Sequence, residues 1–98
     1  MKIVDILEGF NKFFEKTYPN RGYFIHKLSI EQSKVSKIYK TYKLEIWNIT
    51  NGNKRCVFTI QETGRFTESM EDEIIKLLNI KLIEGLFEHY DDLLNGIQ

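Results

Sequence analysis

The chain has 98 residues, which is the usual size of one domain, and its 42% hydrophobic and 29% charged residues are typical of a globular protein and exclude a disordered one. Its formal net charge is zero, so the whole molecule has little long-range attraction for phosphate. No apolar run approaches the ~20 residues of a membrane span. We therefore expect one domain over residues 1–98 and no membrane association.

Cysteine usage indicates the compartment. Cys56 is the single cysteine, so no disulfide can form within the chain, which favours a reducing environment. Asp5 and Glu8 interrupt the apolar residues near the start, unlike the core of a signal peptide. These features predict a cytoplasmic protein.

The composition carries a hint of origin. There is no alanine, and 11 lysines stand against 3 arginines. With 13 isoleucines and 7 asparagines, this bias is typical of an AT-rich genome, such as that of a low-GC bacterium or of one of its phages or plasmids.

The charges are segregated along the chain. Residues 21–65 hold nine Lys or Arg and three acids, a net charge of +6, whereas residues 66–98 hold two Lys and eight acids, a net charge of −6. A basic central region and an acidic final region are therefore predicted to lie on different elements.

Residues 3–17 are predicted to form an amphipathic helix, because apolar residues recur at the three- and four-residue spacing of one helix face. Pro19 ends the pattern, since it biases Tyr18 away from helical backbone angles. The stripe consists of Ile3, Ile6, Leu7, Phe10, Phe13, Phe14 and Thr17.

Three segments alternate apolar and polar residues, which is the pattern of strands with one buried face: residues 23–31, 37–49 and 54–61. The predicted inward residues are Phe24, His26, Leu28 and Ile30, then Ile38, Tyr42, Leu44 and Ile46, then Cys56, Phe58 and Ile60. Consecutive antiparallel strands, in the order 1-2-3, follow from this pattern.

The second hairpin has two candidate registers. A two-residue loop at Asn51-Gly52 pairs Ile46 with Val57, whereas a three-residue loop ending at Asn53 pairs Ile46 with Phe58. Because a slip of one residue moves every side chain to the other face, we favour the three-residue loop with a bulge.

A turn is predicted at residues 63–66 and a long helix from about 68 to 95. Twenty-eight helical residues would span ~42 Å, whereas a strand of nine residues spans ~30 Å. The helix is therefore expected either to break near Asn79 or Gly85, or to extend past the sheet.

Together these elements predict an α+β fold in which both helices cover one face of a three-stranded antiparallel sheet. Its core is expected to contain Phe10, Phe14, Leu44, Phe58, Leu78 and Phe87. Apolar residues cover more of the last helix than a small sheet can bury, so we also predict a homodimer through residues 82–97.

No motif indicates catalysis, a metal or a cofactor. His26 and His89 lie in different elements, and Cys56 has no Cys-x-x-Cys partner and is expected in the core, where thiols are unreactive. The six glycines are scattered, so no phosphate-binding loop exists. We expect a non-enzymatic protein with no cofactor and no metal.

Two surfaces are candidate binding sites. The outward face of the sheet interleaves aromatic and basic residues, which suits either single-stranded nucleic acid or a protein partner. An exposed strand also simply favours Tyr, Thr and Lys. The residues selected there are Tyr23, Lys37, Tyr39, Lys43, Trp47 and Arg55, and those selected on the acidic helix are Glu84, Glu88, Asp91 and Asp92.

The order of elements resembles that of double-stranded-RNA-binding domains, but acids at residues 68–73 replace the basic stretch that opens their second helix, which argues against that function. The layout is also similar to that of small phage and prophage inhibitors of host defence, including anti-CRISPR proteins that block Cas9. The similar features are the opening MKIVDILEGF, the turn at Asn51-Gly52-Asn53, and the acidic end at Glu84, Glu88, Asp91 and Asp92. This resemblance implies an inhibitor that covers the surface of a partner protein, and a nucleic-acid-binding protein is the alternative.

Overall fold

A computed structural model describes residues 3–35, 38–65 and 68–91, with the side chains of residues 65 and 68–71 outside that description. Helix α1 (Ile3–Thr17) precedes strands β1 (Tyr23–Gln32), β2 (Tyr39–Thr50) and β3 (Asn53–Arg65), and helix α2 (Glu68–Glu88) follows. The strands are antiparallel in the order β1-β2-β3. This α+β architecture is the predicted one.

Both helices pack on the same side of the sheet. Helix α1 contacts β1, α2 contacts β3, and the helices meet each other. Every second residue of β2, from Tyr42 to Asn48, is buried beneath them, which is the alternation expected of a sheet with one covered face. The buried hydrophobic cluster contains Ile3, Leu7, Phe14, Phe24, Tyr42, Leu44, Ile46, Phe58, Ile74, Leu78, Leu82 and Leu86.

In the β2–β3 hairpin, the predicted three-residue loop is wrong, but the predicted pairing of Ile46 with Phe58 is correct. Thr50 pairs with Asn53, so the loop has the two residues Asn51 and Gly52, with φ of 53° and 80°. Positive φ at both positions is the type I′ geometry that matches strand twist. Ile46 nevertheless pairs with Phe58, because the register shifts between Ile46 and Trp47.

That shift is a β-bulge at Val57. Trp47 pairs with Cys56 and Ile46 with Phe58, so Val57 is the residue left without a partner on β2. The bulge reverses the alternation on the hairpin side of it, and the prediction that Cys56 points into the core is therefore wrong: Cys56 is exposed. Val57, expected outside, is partly buried against the core.

The exposure of Cys56 has a direct chemical consequence. We expect a disulfide-exchange reagent such as DTNB to modify Cys56 fully in the folded chain, because its thiol is accessible without unfolding. The absorbance of the released thiolate measures the reaction. A thiol that reacts only after denaturant is added would place Cys56 in the core and would remove the bulge.

The ends of two further elements differ from the sequence prediction. Residues 63–65 were expected to turn, but they continue β3 opposite residues 39–41, and the hydroxyl oxygens of Thr41 and Thr63 lie 3.0 Å apart across the pair. Helix α2 runs without a break past Asn79 and Gly85 and ends at Glu88, and residues 92–95 of the predicted helix lie outside the described residues.

Several side chains predicted to be buried are exposed, including Leu28 and Ile30 of β1. Phe87 is 79% exposed, although it was predicted to join the central cluster, because it projects from the side of α2 that faces away from the sheet. Ile38 precedes β2 and is also exposed. His89 is half-buried, and its ring stacks on Phe58 with centroids 4.9 Å apart.

Candidate functional site

The outer face is the side of the sheet turned away from both helices. Directly paired residues share a face, so the register defines it. Its described members are Tyr23, Ile25, Lys27, Ser29 and Glu31 of β1, Tyr39, Thr41, Lys43, Glu45, Trp47 and Ile49 of β2, and Lys54, Cys56, Thr59, Gln61 and Thr63 of β3.

Four of the six residues predicted for this surface lie on the outer face: Tyr23, Tyr39, Lys43 and Trp47. Arg55 does not, because it pairs with the buried Asn48 and therefore lies on the helix side of the sheet, at the hairpin end. The bulge at Val57 is the reason. Lys37 lies outside the described residues.

Glu45 lies in the middle of the outer face and contacts the side chains of Trp47 and Lys43. The indole Nε1 of Trp47 donates a hydrogen bond to Glu45 Oε2 at 3.0 Å, and Lys43 Nζ lies 3.4 Å from Glu45 Oε1. The hydrogen bond from Trp47, followed by the bond and charge of Lys43, lowers the pKa of Glu45. A carboxylate that stays ionised therefore lies beside the only tryptophan.

Protonation of Glu45 should be visible in the fluorescence of Trp47. Because the folded-state pKa is lowered, the interaction is complete above the ordinary pKa of 4.5 and is lost as the pH falls through the folded-state pKa. We expect the emission of Trp47 to change with a midpoint below 4.5, and Glu45→Gln to remove that transition. A midpoint above 4.5 would contradict the geometry.

The helix groove is an apolar depression between the two helices, on the opposite side of the molecule from the outer face. Its volume is about 350 Å³, and it is lined by Ile6, Phe10 and Phe13 of α1 and by Ile83, Leu86, Phe87 and Tyr90 of α2 and the turn after it. Phe13 is 53% exposed and Phe87 79% exposed. At the end of the groove, the hydroxyl oxygens of Tyr18 and Tyr90 lie 2.9 Å apart.

Two of the acidic residues predicted on the last helix, Glu84 and Asp91, lie beside this groove. Glu84 precedes Phe87 by three residues on α2, so the two are neighbours on the helix surface, and Asp91 follows Tyr90 of the lining in the turn after α2. Both are exposed. Glu88 is exposed too, but it lies above β3, on the side of α2 away from the groove. Asp92 lies outside the described residues. Phe87 is thus an exposed aromatic ring with the exposed Glu84 beside it on the helix.

The opposite flank of the groove carries both signs of charge. Lys16 follows Phe13 by three residues on α1, and Asp5 and Lys12 lie on the same side of this helix; all three are exposed. The groove therefore has an apolar floor, one acidic flank and one flank of mixed charge. The apolar helix pattern of the sequence contained all seven lining positions, but it assigned them to the core or to a dimer contact.

Cys56 and the two histidines lie on opposite sides of the sheet. Cys56 lies on the outer face, whereas His26 pairs with the buried Ile46 and His89 stacks on Phe58, so both imidazoles lie on the helix side. Within the described ranges, no three His, Cys, Asp or Glu side chains converge as metal ligands would. Neither described helix is long and apolar enough to cross a bilayer.

Comparison with known proteins gave no relative: no family model, no curated protein and no solved structure matched the chain.

Proposed function

We propose that this chain is a non-enzymatic binding protein that inhibits a partner protein by covering part of its surface, with the helix groove and its acidic flank as the contact. The observation that carries the proposal is the exposed aromatic and aliphatic lining of the groove. Exposed apolar patches on small proteins commonly mark interaction sites, and buried aromatic anchors supply most of the energy of protein interfaces.

The chemistry of the groove defines the partner. All seven lining residues are apolar or aromatic, so the partner must present an apolar ridge. Glu84 and Asp91 lie along one flank, so the neighbouring part of the partner must be basic. The expected partner is therefore a protein segment with an apolar stripe bordered by Lys or Arg.

The biological setting is part of the same proposal. The AT-rich composition and the similarity in layout to phage inhibitors support a phage or mobile-element origin and a host defence protein as the target. A single exposed thiol supports action in the reducing cytoplasm. The predicted homodimer through residues 82–97 uses part of the same groove, so a second copy is the rival occupant.

Nucleic-acid binding by the outer face is the second candidate, and the interleaved rings and lysines of β1 and β2 favour it. Three features weigh against it. Described residues of the outer face include only three lysines against Glu31 and Glu45, Arg55 lies on the other side of the sheet, and the indole of Trp47 is bound to the ionised Glu45. A carboxylate at the stacking position repels phosphate.

A synthetic probe tests the proposal. It is an amphipathic peptide of about 18 residues with a leucine stripe bordered by lysines, and its matched control has glutamates in place of the lysines. By fluorescence anisotropy at about 150 mM salt, we expect the lysine peptide to bind at least about tenfold more tightly than the glutamate peptide.

Three outcomes would overturn the proposal. They are equal binding of both peptides, no binding of either, or micromolar binding of short labelled DNA or RNA at the same salt that is abolished by Trp47→Ala. The last result would make the nucleic-acid function the leading one.

A further inference from the structure

One edge of the sheet is open over part of β1. In the described sheet, β1 pairs on one side with β2 and has no strand on its other side. Near the start of β1, the side chain of Asn11 covers that edge: its Nδ2 donates to the carbonyl oxygen of Phe24 at 2.8 Å, and the amide of Phe24 donates to Asn11 Oδ1 at 2.8 Å. Both backbone groups of Phe24 therefore point away from β2.

The same alternation directs the backbone groups of later β1 residues toward the open edge. Every second residue of an antiparallel strand directs its amide and carbonyl to the same edge. The backbone groups of His26, Leu28 and Ile30 therefore face the open edge. The side chains of Leu28 and Ile30 are 37% and 49% exposed on the helix side. This stretch offers hydrogen bonds and apolar surface together.

Strand β1 has only part of the usual protection of an edge. Natural edge strands are commonly blocked by proline, by a bulge, by shortness or by charged side chains, and Lys27 is the one cation in residues 26–32. Residues 26–32 contain no proline, and their pairing with β2 runs without a register shift. The other edge strand, β3, carries the bulge at Val57. The open edge of β1 is therefore the better site for another strand.

We propose that a second copy of this chain docks on this edge, with the two β1 strands antiparallel and the two-fold axis at Ser29. In this register Leu28 lies opposite Ile30 of the second copy, and the two residues exchange backbone hydrogen bonds. Lys27 lies opposite Glu31 of the second copy on the outer face, and symmetry repeats both contacts. The strand is thus complementary to itself in charge and in apolar surface.

The neighbouring structure limits the pairing to this stretch. The next outward-facing residue toward the start of β1 is Phe24, and Asn11 already occupies its backbone groups. Pairing is therefore centred on residues 27–31 and joins the two sheets into one of six strands. The helix groove stays uncovered, so this dimer and the proposed partner binding are independent.

Exchanging the charges of Lys27 and Glu31 tests the register of the two β1 strands. We expect sedimentation equilibrium at tens of micromolar chain to give twice the monomer mass of 11.7 kDa. Lys27→Glu and Glu31→Lys alone each place like charges opposite each other twice, and each should weaken the dimer about tenfold. The double variant restores opposite charges and should recover the wild-type dissociation constant to within about threefold.

A backbone variant tests the edge itself. Leu28→Pro removes an outward-facing N–H that β2 does not use, so the far-ultraviolet circular dichroism should keep the monomer's signal while the dimer is lost. A monomeric wild-type chain at all concentrations would overturn the proposal. So would a dimer that all four β1 variants leave intact, or one that Phe87→Ser dissociates, since that dimer would use the helix groove.

Discussion

Replacing Phe87 with serine should weaken binding of the lysine-bordered peptide by about thirtyfold, because an aromatic anchor at the centre of an interface contributes about 2 kcal/mol or more. Phe87 is the most exposed residue of the groove lining, so its loss removes contact area without opening the core. Anisotropy titrations of the wild-type chain and of Phe87→Ser measure the ratio of their dissociation constants.

Ile80 provides the matched control. It lies on the same helix, is 54% exposed and does not line the groove. Ile80→Ser also removes exposed apolar surface from α2, but outside the groove, so it should bind the peptide within about twofold of the wild-type chain. Equal weakening by the two variants would mean that the peptide contacts α2 non-specifically, and the groove would lose its assigned role.

Replacing Gly22 with alanine should lower the free energy of unfolding by about 3 kcal/mol or more. Gly22 has a φ of +83°, and a Cβ there would lie 2.3 Å from the carbonyl oxygen of Ile49 and 2.4 Å from Thr50 Oγ1. The left-handed backbone alone costs about 1–2 kcal/mol for alanine, and the contact with a backbone oxygen adds strain that cannot relax by rotation of a side chain. Urea unfolding followed by circular dichroism measures the loss.

The surroundings of Gly22 are fixed by a buried hydrogen-bond network, which is why the strain cannot be relieved. Asn48, which is buried, directs its Nδ2 at the carbonyl oxygens of Arg21 and Tyr23, at 3.4 and 3.3 Å. The hydroxyl of Thr50 lies 3.1 Å from the same carbonyl of Arg21. These contacts hold the α1–β1 connection against the end of β2.

A second glycine, Gly52, separates the backbone penalty from the penalty of the steric contact. It has a φ of +80°, but a Cβ at this position would meet nothing within 4 Å. Gly52→Ala therefore carries only the backbone penalty and should lower the free energy of unfolding by about 1–2 kcal/mol. If Gly22→Ala is no more destabilising than Gly52→Ala, the result would contradict the close contact between Gly22 and the end of β2.

The bulge at Val57 explains most of what sequence reasoning missed. Asn51-Gly52 indicates a two-residue turn, and the apolar residues of β2 and β3 indicate pairing of Ile46 with Phe58. The two signals disagree by one residue. An alternating pattern cannot show whether the extra residue lies in the loop or within the strand. The structure places it at Val57, and this choice moves Cys56 to the outer face and Arg55 to the helix side.

Helix α2 shows a different limit. The sequence shows that the apolar stripe of this helix is wider than one small sheet can bury. It does not separate the residues that face the sheet from those that face the groove. Leu78 and Leu82 are fully buried, whereas Phe87 is exposed. The distinction depends on where α1 lies beside α2, which is a tertiary relation that helical periodicity does not contain.

The emission of Trp47 tests the central claim, that binding uses the helix groove and leaves the outer face free. Trp47 is the only tryptophan and lies on the outer face, across the sheet from the groove. A titration with the lysine-bordered peptide, made without aromatic residues, should reach saturation by anisotropy while the emission of Trp47 stays constant. An emission change that follows peptide binding, or quenching by a short single-stranded oligonucleotide at about 150 mM salt, would contradict the claim and assign binding to the outer face.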